Sequence, residues 1–213
     1  MKFLILCSML FSSLSFAQTK ATERLFKAIE KNSLSQAQAA ILDGADVNGV
    51  NDLKAPTTTV LVKAVKMNRL EIVKLLLDNK ADVNQRNPVD LYTGLMVAAK
   101  YDLAPIAKLL VDNGADVNQY TVMMRTALHV AALHDSLSVA EVLVRSNEID
   151  VNFSNMGGLC ALAVAARQDH KSIVLLLKNL TGARAASPRC LEKAINVAGF
   201  NDHEEVVRIL NRN

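Results

Sequence analysis

The sequence predicts an all-α solenoid of about six helix-turn-helix repeats with β-turn tips, and three observations predict it. Ala-Asp-Val-Asn stands at Ala45–Asn48, Ala81–Asn84 and Ala115–Asn118, with a variant at Ile149–Asn152, in steps of 36, 34 and 34 residues. An apolar residue recurs at Leu25, Leu61, Leu95, Leu128, Leu162 and Ile195, followed three positions later by Ala28, Ala64, Ala98, Ala131, Ala165 and Ala198. Positions i and i+3 share one helical face, and the small alanine lets the next repeat approach closely. A second apolar run follows in each unit, as in Ile72–Leu77 and Ile173–Leu177, and belongs to an antiparallel partner helix. Such an array buries its core only by stacking neighbours, so it presents a long surface and no single pocket.

Residues 1–17 are of a different kind. Met1-Lys2 is a minimal basic start, Phe3 to Leu14 is mostly apolar, and Ser15-Phe16-Ala17 places small residues at −3 and −1 before Gln18. This reads as a secretory signal peptide cleaved after Ala17. The apolar run is well short of the roughly 20 residues a spanning helix needs. Leu4-Ile5-Leu6-Cys7 is no lipoprotein box, because Leu6 is too large beside the cysteine.

The repeat domain, 18–213, divides near 22–48, 51–84, 85–118, 119–152, 153–186 and 188–213. Gly44 and Gly114 end second helices, where a left-handed residue is favoured. The first and last units are degenerate, as caps with one solvated side should be. Of 213 residues, 51% are apolar but only 4% aromatic, a composition that suits short packed helices rich in Ala, Leu and Val. Without Lys2 the chain has 23 basic and 21 acidic residues, +2, too balanced for nucleic acid to be its main partner. Cys160 and Cys190 lie in successive repeats but not at equivalent positions. Their Cα separation is therefore not assured, and a disulfide and two idle thiols both stay open.

Thr126-Ala127-Leu128-His129 with Ala131-Ala132, and Gly114-Ala115-Asp116-Val117-Asn118, resemble the signature and the closing motif of the ankyrin repeat. The resemblance covers about residues 22–213, although Thr59–Val62 and Cys160–Ala163 lack the usual Pro and His, and the fifth unit loses its closing motif. It implies an L-shaped unit whose inner helices and tips form the binding side. It also implies that His129, His170 and His203 are structural, hydrogen-bonding between neighbouring loops.

Nothing points to catalysis, a metal or a cofactor. The chain has no CxxC, HExxH, Gly-rich phosphate loop or GxSxG. His134 is off-pattern, and one histidine is no metal site. Asp46, Asp82, Asp116 and Asp150 are repeat-equivalent, too far apart to act as a carboxylate pair, and are expected to hold their turns through side-chain-to-backbone bonds.

The candidate partner-binding residues are those that the scaffold does not need. The inner helices end in Lys66-Met67, Lys100-Tyr101, Leu133-His134, Arg167-Gln168 and Phe200-Asn201. The third to fifth tips carry Leu91, Tyr92, Tyr120, Met123, Met124, Arg125, Phe153 and Met156. Aromatic, Met and Arg residues are the types enriched at interface cores. The rings of Tyr92, Tyr120 and Phe153 are expected to be exposed anchors, with Lys66, Lys100 and Arg167 steering toward an acidic rim. The resemblance to exported bacterial ankyrin proteins implies a periplasmic protein, monomeric when unbound, that sterically inhibits a partner enzyme. Self-protection against a peptidoglycan hydrolase leads. An accessory role in oxidative-stress defence and a secreted effector that binds a host protein are the alternatives.

Overall fold

The computed structural model describes residues 18–51, 57–182 and 185–212, so the expected leader at 1–17 lies outside the described residues. The described helices come in pairs within two compact units, divided along the chain after Val89. The first unit holds residues 18–30 (α1) with Leu34–Leu42 (α2), and Val60–Lys66 (α3) with Leu70–Asp78 (α4). The second holds Gly94–Lys100 (α5) with Ala104–Asp112 (α6), and Ala127–His134 (α7) with Leu137–Val144 (α8). It continues with Ala161–Arg167 (α9) and Lys171–Lys178 (α10), then Pro188–Phe200 (α11) and Glu204–Asn211 (α12). In the second unit the inner helices α5, α7, α9 and α11 pack in sequence, and the outer helices α6, α8, α10 and α12 pack likewise. Among the described residues there is no strand, only an antiparallel bridge between Val50 and Thr59.

One local device turns each inner helix into its outer partner. The residues at the turns are Asn32, Asn68, Asp102, Asp135, Asp169 and Asp202, all left-handed with φ between 50° and 60°. Asn and Asp tolerate this region best among residues with a Cβ. The following amide donates to the carbonyl of the repeated alanine, as in Arg69 N to Ala64 O at 3.0 Å and Ser136 N to Ala131 O at 3.0 Å. The same bond recurs at Ala28, Ala98, Ala165 and Ala198, so every inner helix closes with the Schellman pattern. Gly44 and Gly114, at φ 87° and 84°, close outer helices as expected.

Thr59, Thr93 and Thr126 cap the starts of α3, α5 and α7, with the Thr59 and Thr93 hydroxyls accepting from Val62 N and Met96 N at 3.3 Å. The core follows the sequence register. Leu25, Leu61, Leu95, Leu128 and Leu162 are buried, and all six alanines have no exposed surface. Ile195 departs from it and is only half-buried, on an inner helix that packs against α9 and α12.

The recurring Asp and Asn divide their labour. Asp46 Oδ1 accepts from Asn48 N, and Asp82, Asp116 and Asp150 do the same for Asn84, Asn118 and Asn152, each at 2.9 Å. The Asn then reaches the next repeat. Asn48 Oδ1 accepts from Asp82 N at 2.7 Å, Asn118 Oδ1 from Asp150 N at 2.9 Å, and Asn152 Oδ1 from Ser187 N at 2.7 Å. Aspartate shapes the tip; asparagine laces tip to tip.

The cysteines left open by the sequence are joined. Cys160 and Cys190 form a disulfide with Cα atoms 6.0 Å apart, and both are buried. The register is what hid this. α9 begins one residue before Leu162, whereas α11 begins seven residues before Ile195, so the final inner helix extends back through the stretch that forms a tip elsewhere. Ser187 and Pro188 start it, with the Ser187 hydroxyl accepting from Cys190 N at 3.2 Å.

Candidate partner-binding surface

The fourth and fifth tips are tight loops that turn their side chains outward. Thr121 is buried, and its hydroxyl accepts from Met123 N and Arg125 N at 3.3 Å each. Met124, at φ 54°, donates its amide to Thr121 O at 2.8 Å. In the fifth tip Asn155 Oδ1 plays the same part, accepting from Gly157 N at 2.9 Å and Leu159 N at 3.1 Å. Gly158 there takes φ 70°, which a glycine adopts without strain. Met156 N then donates to Met123 O at 3.1 Å, joining the two tips. The result is an exposed apolar group: Tyr120, Val122, Met123, Met124 and Met156, the last 66% exposed. Val122 escapes the sequence reading because a lone valine between Thr and Met carries no pattern.

The structure corrects the expectation for the three rings. Only Tyr120 is exposed, at 45%. Phe153 is half-buried, stacked on Tyr120 with centroids 5.6 Å apart and set edge-on to His129 at 6.1 Å. Tyr92 is also half-buried, in a turn where Asp90 Oδ1 accepts from Tyr92 N at 3.0 Å beside left-handed Leu91, itself half-buried. Burial raises the Tyr92 phenol above its usual range, with Arg125 opposing. Phe153 therefore serves packing between the fourth and fifth tips, and Tyr92 is partly covered. The methionines, with Tyr120, are the freely presented apolar groups.

The inner-helix ends are solvated in the main. Lys100, Tyr101, His134 and Arg167 are exposed, and Leu133 and Arg125 are half-buried. The Lys100 ammonium lies 5.7 Å from the centre of the Tyr101 ring. In the first unit Lys66 is exposed and Met67 half-buried. Phe200, at the repeat position of Lys100 and Arg167, is 90% exposed and belongs with these candidates. The repeat alignment is the signal that finds it.

The histidines are structural in the way expected, each reaching a neighbouring repeat. His170 Nδ1 donates to Ala132 O at 2.9 Å, and His203 Nε2 donates to Arg167 O at 3.0 Å. His129 is buried. Its Nδ1 accepts from Thr126 N at 3.4 Å and from the Thr126 hydroxyl at 2.9 Å, so the ring proton sits on Nε2 and is donated to Leu159 O at 3.0 Å. Burial, aided by Arg125, holds this imidazole below the usual histidine range. Protonating Nδ1 would place two donors face to face.

A pH dependence follows. Above about pH 6.5 His129 is neutral in both folded and unfolded chains and contributes nothing to the slope. As pH falls through that value the unfolded chain takes up a proton that the folded ring refuses, and stability drops. Urea titrations at pH 7.5 and 5.5 are expected to show a smaller pH loss in His129→Gln than in the wild type. Equal losses would mean that His129 does not set the slope.

Among the described residues no three His, Cys, Asp or Glu side chains gather as a metal site, and no helix is long and apolar enough to cross a membrane. A family model described as ankyrin repeats (3 copies) matches residues 25–121, 61–155 and 95–187. No curated protein matches the chain. The matched stretches span most of the sequence, and with helix pairs that close alike and are laced tip to tip within each unit they place the chain in the ankyrin-repeat family, a protein-protein interaction module on a typically non-catalytic scaffold.

Proposed function

We propose that the protein is an exported periplasmic module that inhibits a partner enzyme by covering its active site, with a peptidoglycan hydrolase as the target and self-protection as the role. The apolar group at the fourth and fifth tips carries this reading. A contiguous exposed patch of this kind invites association unless a partner covers it. Aromatic and Met side chains are also the types enriched where interfaces are driest. Export is supported by the leader features of residues 1–17 and by the buried Cys160–Cys190 bond, since disulfides persist in oxidising compartments. The free protein is taken as a monomer.

The test is replacement of Met123, Met124 and Met156 together by serine. These side chains are exposed, so the variant should melt as the wild type does, within about 0.5 kcal/mol in stability. It should fail to capture a wall-degrading enzyme from periplasmic extract, and fail to slow digestion of purified wall by that enzyme. Wild-type protein that captures no wall enzyme would sink the proposal. A variant that captures as well as wild type would move the surface elsewhere.

A further inference from the structure

Among the described residues, sulfur is sorted by position. Cys160 and Cys190 are buried and already joined, so they offer no thiol to an oxidant. Met96 lies on α5 inside the core at 1% exposure, and Met67, just after α3, is half-buried. Met123, Met124 and Met156 are exposed together at the fourth and fifth tips. Met156 N donates to Met123 O at 3.1 Å, and Met124 follows Met123, so the three residues share one patch. Leucine would present much the same apolar volume there. What methionine adds is a pliable side chain and a thioether open to oxidants.

The frame beneath these side chains contains no sulfur. Thr121 and Asn155 hold the two turns through their hydroxyl and carboxamide oxygens, and Phe153 stacks on Tyr120. A chemical change confined to the three thioethers therefore leaves the loops standing and alters only what they present.

We propose that Met123, Met124 and Met156 form an oxidation site, at which peroxide turns the binding patch from apolar to polar and releases the partner. Each thioether sulfur attacks one oxygen of hydrogen peroxide. A sulfur–oxygen bond forms as the oxygen–oxygen bond breaks. Sulfur gives up two electrons, and the second oxygen leaves as water. A thiol-dependent reductase reverses the step: two thiols become a disulfide, and the sulfoxide oxygen departs as water. The sulfoxide oxygen is a strong acceptor that a dry interface centre leaves unpartnered, which lowers affinity about tenfold for each one buried. The inference rests on the tip-binding reading above and adds its regulation.

The test treats the full chain with hydrogen peroxide, removes the peroxide, and maps the oxidised peptides by mass spectrometry. Met123, Met124 and Met156 should oxidise at least about tenfold faster than Met96, since susceptibility follows exposure. Retention of the native protein on a hydrophobic-interaction column should shorten in step, with circular dichroism and melting unchanged. Oxidised wild type should lose capture of a wall-degrading enzyme from periplasmic extract. Treatment with the two methionine sulfoxide reductases, one for each sulfoxide epimer, should restore it. Met123→Leu/Met124→Leu/Met156→Leu should capture equally with and without peroxide; the reductase rescue decides if that variant misfolds. Oxidation of Met96 at the same rate, unchanged retention, unfolding on oxidation, or loss of capture by the peroxide-treated leucine variant would overturn the proposal. Untreated wild type that captures no enzyme sinks the function proposed above and the release with it. Oxidised wild type that still captures sinks this inference alone.

Discussion

Replacing Cys160 and Cys190 together with alanine is expected to cost about 3–4 kcal/mol, the chain-entropy value for a cross-link that closes about 30 residues. The loss should be local. The fifth repeat lacks the closing Ala-Asp-Val-Asn, so the disulfide supplements the Asn152 bonds to Ala185 and Ser187 in fastening the last pair. In the alanine variant, or in dithiothreitol, amides of α11 and α12 should exchange before those of α7 and α9. Hydrogen exchange with mass spectrometry gives the order, and urea midpoints give the size. Identical midpoints with and without reductant would show that the bond adds no stability. Phe200 sits on the same helix pair, so loosening that pair would also withdraw it from the surface.

Leu128→Ala is expected to cost about 3–4 kcal/mol, because a fully buried leucine leaves a cavity that its surroundings only partly fill. Leu128 is 1% exposed on α7, which packs against both α5 and α9. Ile195→Ala, at the repeat-equivalent position on α11, should cost about half as much, since part of that side chain already meets water. Urea unfolding with an unchanged slope would check both. Equal costs would mean that the end repeat is packed as tightly as the middle.

The scaffold was legible because each of its parts is written locally and then repeated. Leu128 with Ala131, and Asp116 with Asn118, act over two or three residues, and recurrence at 33 to 36 lifts them above chance. The left-handed series from Asn32 to Asp202 was equally present but goes unnoticed unless the turn geometry is asked for. What the sequence misplaced are features set by contacts between repeats. Whether Phe153 faces water depends on Tyr120 stacking over it and on His129 behind it, neither of which its own motif states. The disulfide stayed open for a related reason. Equivalence assumes a common register, and α11 breaks it by starting early.

The bridge between Val50 and Thr59 has a meaning for how such a chain can change over generations. The step from Asn48 to Asn84 is 36 residues where the next is 34, so two residues have been gained or lost. Val50 pairs with Thr59 there, and Asn51 Oδ1 accepts from both Thr57 N and Thr58 N at 2.9 Å. Downstream of it Leu61 and Ala64 are buried as are their counterparts in the next three repeats, and Asn48 still meets Asp82. The extra length leaves the following helix pair in register, as connections between elements tolerate insertions. Insertions and deletions at the tips are therefore a route by which a lineage can acquire a different partner while inheriting the same scaffold.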